Sequence, residues 1–282
     1  MKKKIINPEI IDRLYPNLRF SSKNFYQLKK YILKISLEYN LKKNKNYFFK
    51  GLGNILFPYN NLGKVESYNQ IFNANEFVVF YLYKVLKKIN KRKFAADFGA
   101  NLGLHAIILR KYGYEVDAYE PDPNTFKKLK ENIKLNNLDK IKIKNFAVFD
   151  KSGKINFTRV NDNLTGSHIE NLKKSYGRLN TIKIKVLNIK DIIKKYDLIK
   201  LDVESAEAKI LCSLNKKDFL DKDFIVEIGN IENAEKIFKF LKKNKLSCYS
   251  QKNNFKQIKK FIQFPYSHHE GALLISQNYN FK

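Results

Sequence analysis

Cysteine occurs twice in the 282 residues and arginine, on a count of the chain, six times. No apolar run approaches the ~18 residues that a membrane span needs. Cys212 and Cys248 are too few for a disulfide framework or a cysteine-rich zinc site, and they fit a reducing compartment. The basic start, Met1-Lys2-Lys3-Lys4, is followed by Asn7, Pro8, Glu9 and Asp12 rather than by the apolar core of a signal peptide. No internal repeat or low-complexity linker divides the chain. These absences lead to the expectation of a soluble, cytoplasmic protein without a membrane span.

Positive charge is abundant: 55 Lys+Arg against 27 Asp+Glu give +28. With 44% hydrophobic and 14% aromatic residues the chain can build a sizeable core, which excludes wholesale disorder. Lysine-rich surfaces release counterions from phosphate, so a nucleic-acid partner comes to mind first. Arginine, whose planar fork suits phosphates and base edges, is scarce, and the 33 asparagines accompany a Lys and Ile excess that an AT-rich gene would produce everywhere. The charge is therefore read mainly as background, with one local concentration: residues 1–92 hold 19 basic and 5 acidic residues, net +14.

Apolar spacing of three and four predicts a helix over Phe25–Leu41, through Phe25, Leu28, Ile32, Ile35 and Tyr39. The breakers Gly51, Gly53, Pro58, Asn60, Asn61 and Gly63 read as a loop, and Ala74–Ile89 as a second helix. From Lys93 short apolar strands alternate with amphipathic helices. The strands are Phe94–Phe98, Glu115–Tyr119, Ile141–Val148, Leu198–Val203 and Phe224–Ile228, with late strands near Leu246–Ser250 and Ala272–Ser276. The helices are Leu104–Lys111, Pro123–Leu135, Ile189–Lys195, Ala206–Leu214 and Glu232–Lys242. A β-rich excursion, Lys154–Val160 and Thr181–Val186, interrupts the rhythm. The alternation predicts an α/β fold: a mostly parallel twisted sheet with helices on both faces. Residues 1–75 form a mostly helical basic extension, a cap or lid, and 76–282 the main domain.

The first of these strands runs into Asp97-Phe98-Gly99-Ala100-Asn101-Leu102-Gly103, directly before a helix. Glycine there lets the backbone turn tightly and approach a ligand. The second ends in Glu120-Pro121-Asp122-Pro123, placing a carboxylate where both hydroxyls of a ribose can donate to it. The dinucleotide fingerprint G-x-G-x-x-G is missing, and an aspartate two residues before the first glycine suits a cationic nucleoside better than a diphosphate.

These blocks resemble the FkbM-type class I methyltransferases, over about residues 76–276. The resemblance rests on Asp97 to Leu104, on Tyr119-Glu120-Pro121-Asp122-Pro123 and on Asn145-Phe146-Ala147-Val148. Closest to this family alone is Asp197-Leu198-Ile199-Lys200-Leu201-Asp202-Val203-Glu204-Ser205-Ala206-Glu207, where Ser205 stands in place of the family's usual glycine. The resemblance implies a Rossmann-like fold, S-adenosyl-L-methionine as cofactor and, in many members, methylation of hydroxyls on sugars, glycolipids or small metabolites. It also implies that Asp97, Gly99 and Asn101, in the turn with Ala100 and Gly103, line the methionine end. Glu120, followed by Pro121, would take the ribose, and Asn145, Phe146 and Ala147 would border the adenine.

An alcohol is a weak nucleophile, so a general base or a metal would help its transfer step. Asp202 and Glu204, two apart after a strand, are expected on one side of it, though either could instead cap the helix that follows. Among four histidines His168, in Thr165-Gly166-Ser167-His168, is the first choice of base. His105 is read as packing beside the ligand, and the adjacent pair His268 and His269, in an extended chain, does not suit one metal. A divalent metal is not favoured, and Glu227 is expected to support the site from behind. The acceptor is expected to be a small molecule or glycan, an anionic one included. Nucleic-acid methylation is the weaker alternative, because Asp202-Val203-Glu204-Ser205 is hostile to phosphate and no cysteine nucleophile sits at that strand end. A non-catalytic cofactor-binding or scaffold module is the third class.

Overall fold

The computed structural model describes residues 5–7, 10–14, 17–19, 22–39, 46–59 and 73–279. The N-terminal part comprises β1 (Ile5–Ile6), α1 (Ile10–Leu14), α2 (Lys23–Tyr39), β2 (Asn46–Phe49) and β3 (Gly53–Leu56). Next come α3 (Ala74–Asn90), β4 (Phe94–Phe98), α4 (Leu104–Lys111), β5 (Glu115–Tyr119), α5 (Pro123–Leu135) and β6 (Ile141–Lys144). The excursion holds β7 (Ala147–Phe149), β8 (Gly153–Val160), β9 (His168–Ile169) and β10 (Leu179–Asn188). The chain closes with α6 (Ile189–Ile192), β11 (Leu198–Leu201), α7 (Glu207–Ser213), β12 (Asp223–Val226), α8 (Ile231–Lys243), β13 (Cys248–Ser250) and β14 (Leu273–Ile275).

Local chemistry starts the helices around the site. Asn73 accepts from the Glu76 N–H at 3.0 Å to cap α3. Asp122 accepts from Asn124 and Thr125 N–H to cap α5, with Pro123 in the first turn where its missing N–H is harmless. Asn230 caps α8 in the same way.

Seven strands form the main sheet in the order β13-β14-β12-β11-β4-β5-β6. β12, β11, β4, β5 and β6 run parallel, while β14 is antiparallel to both β12 and β13. After β6 the chain returns to the other side of β4, which makes the gap between the carboxyl ends of β4 and β11 the switch point where such sheets bind ligands. One apolar cluster lies on each face. The N-terminal elements belong to one of them: Ile11, Leu18, Phe25, Tyr47 and Phe57 are buried together with Ala95, Val116 and Leu198 of the sheet. No helix among the described residues is long and apolar enough to cross a membrane.

The sequence expectations need three corrections. Ile141–Val148 is not one strand, since β6 ends at Lys144 in the main sheet and β7 pairs with β10 in a second sheet ordered β7-β10-β8-β9. Part of the 51–63 loop is the end of a hairpin, β2–β3, which turns through Lys50–Leu52 with Gly51 and Gly53 both at positive φ. Asn60, Asn61 and Gly63 of that loop lie outside the described residues. The strand expected to reach Val203 ends at Leu201.

Gly99 shows how close the strand ends come. At φ 79° an added Cβ would sit 1.8 Å from the carbonyl oxygen of Asp202. Gly51, at φ 80°, has nothing within 4 Å of that position. Gly51→Ala is thus expected to lower stability by no more than about 1 kcal/mol, and Gly99→Ala by on the order of 2 kcal/mol or more, in urea unfolding.

Candidate active site

A cavity of about 550 Å³ opens at the carboxyl ends of β4, β5 and β11. Gly99, Ala100, Asn101 and Glu120 line one half, and Asp202, Glu204 and Glu227 line the other. Residues 163–167, Lys173 and Tyr176 of the excursion form a further wall, and Phe57, Asn73 and Glu76 contribute from the N-terminal side.

Strand register builds the centre. Asp97 on β4 pairs with Lys200 on β11, and Asp202 lies two residues beyond Lys200 on the same side. The Lys200 ammonium accordingly sits 3.3 Å from Asp97 Oδ1 and 3.3 Å from Asp202 Oδ2. Burial alone would push this ammonium down, but Asp97 and Asp202, helped by Glu76 and Glu227, outweigh it and push it up. Asp97 is 0% exposed, and among the described residues neither of its carboxylate oxygens receives a hydrogen bond.

In the half lined by Gly99, Ala100 and Asn101, Glu120 accepts at 2.9 Å from the Asn101 N–H on one oxygen and at 2.9 Å from the Asp122 N–H on the other. Burial pushes Glu120 up to about 8, against the lowering effect of those two donors. Asn101 takes φ 49°, and its buried Oδ1 has no donor among the described residues. Gly103, at φ 90°, begins α4 without a side-chain cap. Pro121 and Ala147 line the cavity, joined by Val148. Asn145 and Phe146 are not among the lining residues: the Asn145 amide donates to the carbonyls of Glu120 and Pro121 at 2.8 and 3.1 Å, tying β6 to the β5 end.

In the other half Glu204, 31% exposed, meets Lys173 Nζ at 2.5 Å. Burial and the neighbouring Asp202 carboxylate push Glu204 up to about 7, while Lys173 pulls it down. Neither Asp202 nor Glu204 caps α7, which starts without a side-chain cap; Glu207 Oε1 instead accepts from the N–H groups of Val203 and Ser205 in the preceding turn, at 3.1 and 3.3 Å. Burial lifts Glu207 to about 8, and it lifts Glu227 well above its ordinary range with help from Asp202, Glu76 and Glu204.

His168 does not reach the cavity. It is 1% exposed, its Nδ1 lies 2.8 Å from the Gly166 carbonyl and its Nε2 3.2 Å from Ser175 Oγ, because β9 turns the ring into the excursion. His268 does line the cavity. It sits with His269 in a short 3₁₀ turn, not in the extended chain expected, and the two rings are 3.8 Å apart. Burial, then His269 and Lys173, lower the His268 pKa. His105 also borders the cavity, with Nε2 2.8 Å from Glu76 Oε2 and Nδ1 2.8 Å from the Tyr83 hydroxyl. Since a carboxylate only accepts, His105 donates from Nε2, and its Nδ1 accepts from tyrosine when the ring is neutral. Among the described residues no three His, Cys, Asp or Glu side chains are arranged to hold a metal ion.

Lys173, Glu76 and Phe57 also line the cavity and carry no local signal in the sequence. Lys200 does carry one, the spacing Lys200-Leu201-Asp202 at a strand end.

An open sheet of this order, with a glycine turn behind Asp97 and a carboxylate at the next strand end, is the fold of class I methyltransferases. The chain belongs to the FkbM methyltransferase domain family, whose family model matches residues 97–270. No curated protein matches it by sequence. Solved structures similar to it include precorrin-6y C5,15-methyltransferase from Geobacter metallireducens GS-15, 10% identical over 70% of this chain and 86% of that one, TM-score 0.41. A ribosomal protein L11 methylase from Lactobacillus delbrueckii subsp. bulgaricus is 14% identical over 70% and 76%, TM-score 0.37. The METTL16 methyltransferase domain is 14% identical over 73% and 67%, TM-score 0.42.

A buried acid held above its ordinary range has a measurable signature. Glu120 takes its proton at about 8 when folded and near 4.5 when unfolded, so between those values the folded chain holds the extra proton. Raising the pH through that window therefore weakens the fold. Glu120→Gln removes this dependence. Its unfolding free energy relative to the parent should rise by on the order of a few kcal/mol between about pH 5 and pH 8, measured by urea titration.

Proposed function

We propose that this methyltransferase transfers a methyl group from S-adenosyl-L-methionine to a hydroxyl of a sugar, glycan, glycolipid or other small metabolite. The residues of the cofactor half fit that group. Asp97, whose Oδ1 meets Lys200 at 3.3 Å while neither oxygen receives a hydrogen bond among the described residues, suits an ammonium, and Gly99 leaves room for close backbone approach. Glu120 is anchored by two N–H groups and suits ribose hydroxyls. When bound, the cofactor supplies an electrophilic methyl group.

The observation that carries the acceptor assignment is Glu204. A carboxylate lifted to about 7 and kept in place by Lys173 is matched to taking a proton from a hydroxyl near neutral pH. Asp202 and Lys200 orient the acceptor beside it by hydrogen bonding, and the excursion wall and Phe57 exclude water. The carboxylates of Asp202 and Glu204 weigh against a phosphate backbone and against a strongly anionic acceptor. The N-terminal extension acts as cap and wall, since Phe57 and Asn73 border the cavity.

Calorimetry with S-adenosylmethionine and transfer of its labelled methyl to fractionated lysate test the proposal. Glu120→Ala should weaken cofactor binding by about tenfold or more, through loss of a buried acceptor. Glu204→Gln should bind the cofactor within about twofold of the parent yet lower transfer by about a hundredfold. The transfer rate of the parent should fall with unit slope below pH 7 as Glu204 takes up its proton. Cofactor binding without transfer to any fraction would favour the scaffold class, and transfer to RNA would overturn the hydroxyl assignment.

A further inference from the structure

The turn after β11 holds two consecutive non-glycine residues in the left-handed region, Glu204 at φ 52° and Ser205 at φ 80°. L-residues disfavour that region, and such strain persists only where the surroundings enforce it. Polar groups from the starts of two helices do so here. Asn230 uses Oδ1 to cap α8, accepting from the Asn233 N–H at 2.9 Å. That leaves its Nδ2 for a second task, and it donates to Ser205 Oγ at 3.1 Å. Asn233 donates from Nδ2 to Glu207 Oε2 at 2.9 Å, and Glu207 in turn receives the N–H groups of Val203 and Ser205.

We infer that Asn230 is a positioning residue for Glu204: its bond to the Ser205 hydroxyl holds the strained turn in the conformation that presents the Glu204 carboxylate to the cavity. A glycine at position 205 would adopt φ 80° without help, whereas serine needs a tether and its hydroxyl supplies the handle. Glu207 secures the turn from the backbone side but touches only N–H groups, which serine and glycine share. The dependence on residue 205 therefore falls on Asn230. The inference rests on Glu204 acting in the transfer.

A double-mutant cycle tests it. Asn230→Ser keeps a good helix cap but is too short to reach Ser205. Hydrogen exchange of the peptide spanning residues 201–207 should accelerate by about tenfold in this variant, while the first turn of α8 exchanges as before. The rate of label transfer from S-adenosylmethionine to the lysate fraction should fall by about tenfold with calorimetric cofactor affinity unchanged. In the Ser205→Gly background the same substitution should change both readouts by no more than about twofold. Equal losses in both backgrounds, or a loss confined to unfolding stability and cofactor affinity, would overturn the positioning role. Glu204→Gln run alongside separates the two ideas. Full transfer by that variant refutes the base assignment, and exchange coupling between residues 205 and 230 that persists there still supports the tether.

Discussion

The site depends on how closely the ends of β4 and β11 meet. An atom added to Gly99 would overlap the Asp202 carbonyl, and the buried ammonium of Lys200 lies 3.3 Å from Asp97 on β4 and 3.3 Å from Asp202 just beyond β11. A charge taken out of water is tolerated only if opposite charge replaces the lost solvation. Lys200 therefore demands both aspartates, and each aspartate anchors one half of the cavity: Asp97 the half with Gly99 and Glu120, Asp202 the half with Glu204 and Glu227. The parallel register that sets Asp97 opposite Lys200 makes this link a property of the sheet itself. Loops around the rim can vary without disturbing it.

The same centre resolves the mismatch between a chain of net charge +28 and a cavity lined with carboxylates. Burial raises Glu120 and Glu207 to about 8 and Glu204 to about 7, so near neutrality part of this acid is held as neutral carboxyl groups. Such a cavity tolerates its own density of acid at rest. It gains most from ligands that bring positive charge or hydroxyl donors, because either favours the ionised form. Among the cavity's lining residues the lysines are Lys173 and Lys200, each held against a carboxylate.

What the sequence revealed follows the range over which its signals act. The turn Asp97–Gly103, the carboxylate at Glu120 and the strand–helix alternation are encoded within a few residues, so they could be read. The break between β6 and β7 has no glycine or proline: Asn145 and Phe146 carry the chain from one sheet to another, and the Asn145 amide clasping the β5 end marks the crossing. His168 lies in a plausible loop, but a two-residue strand turns its ring inward, a direction set by pairing with β8. Lys173 is one lysine among dozens until the excursion folds it onto Glu204. In each of these cases the decisive contact spans a distance in sequence that periodicity and spacing do not reach.

The N-terminal segment shows how such contacts redistribute function. It was legible as a basic appendage because charge is a local property. Its buried face, Ile11, Leu18, Phe25, Tyr47 and Phe57, is instead continuous with the core beneath β4 and β5. A layer that shares the core with the sheet is held by the same apolar burial that stabilises the sheet. Phe57 both fills that core and borders the cavity, so packing of the extension and shape of the cavity wall are one variable. The described part of the extension thus borders the cavity through a core aromatic, Phe57, and through Asn73 at the start of α3, rather than through its charge.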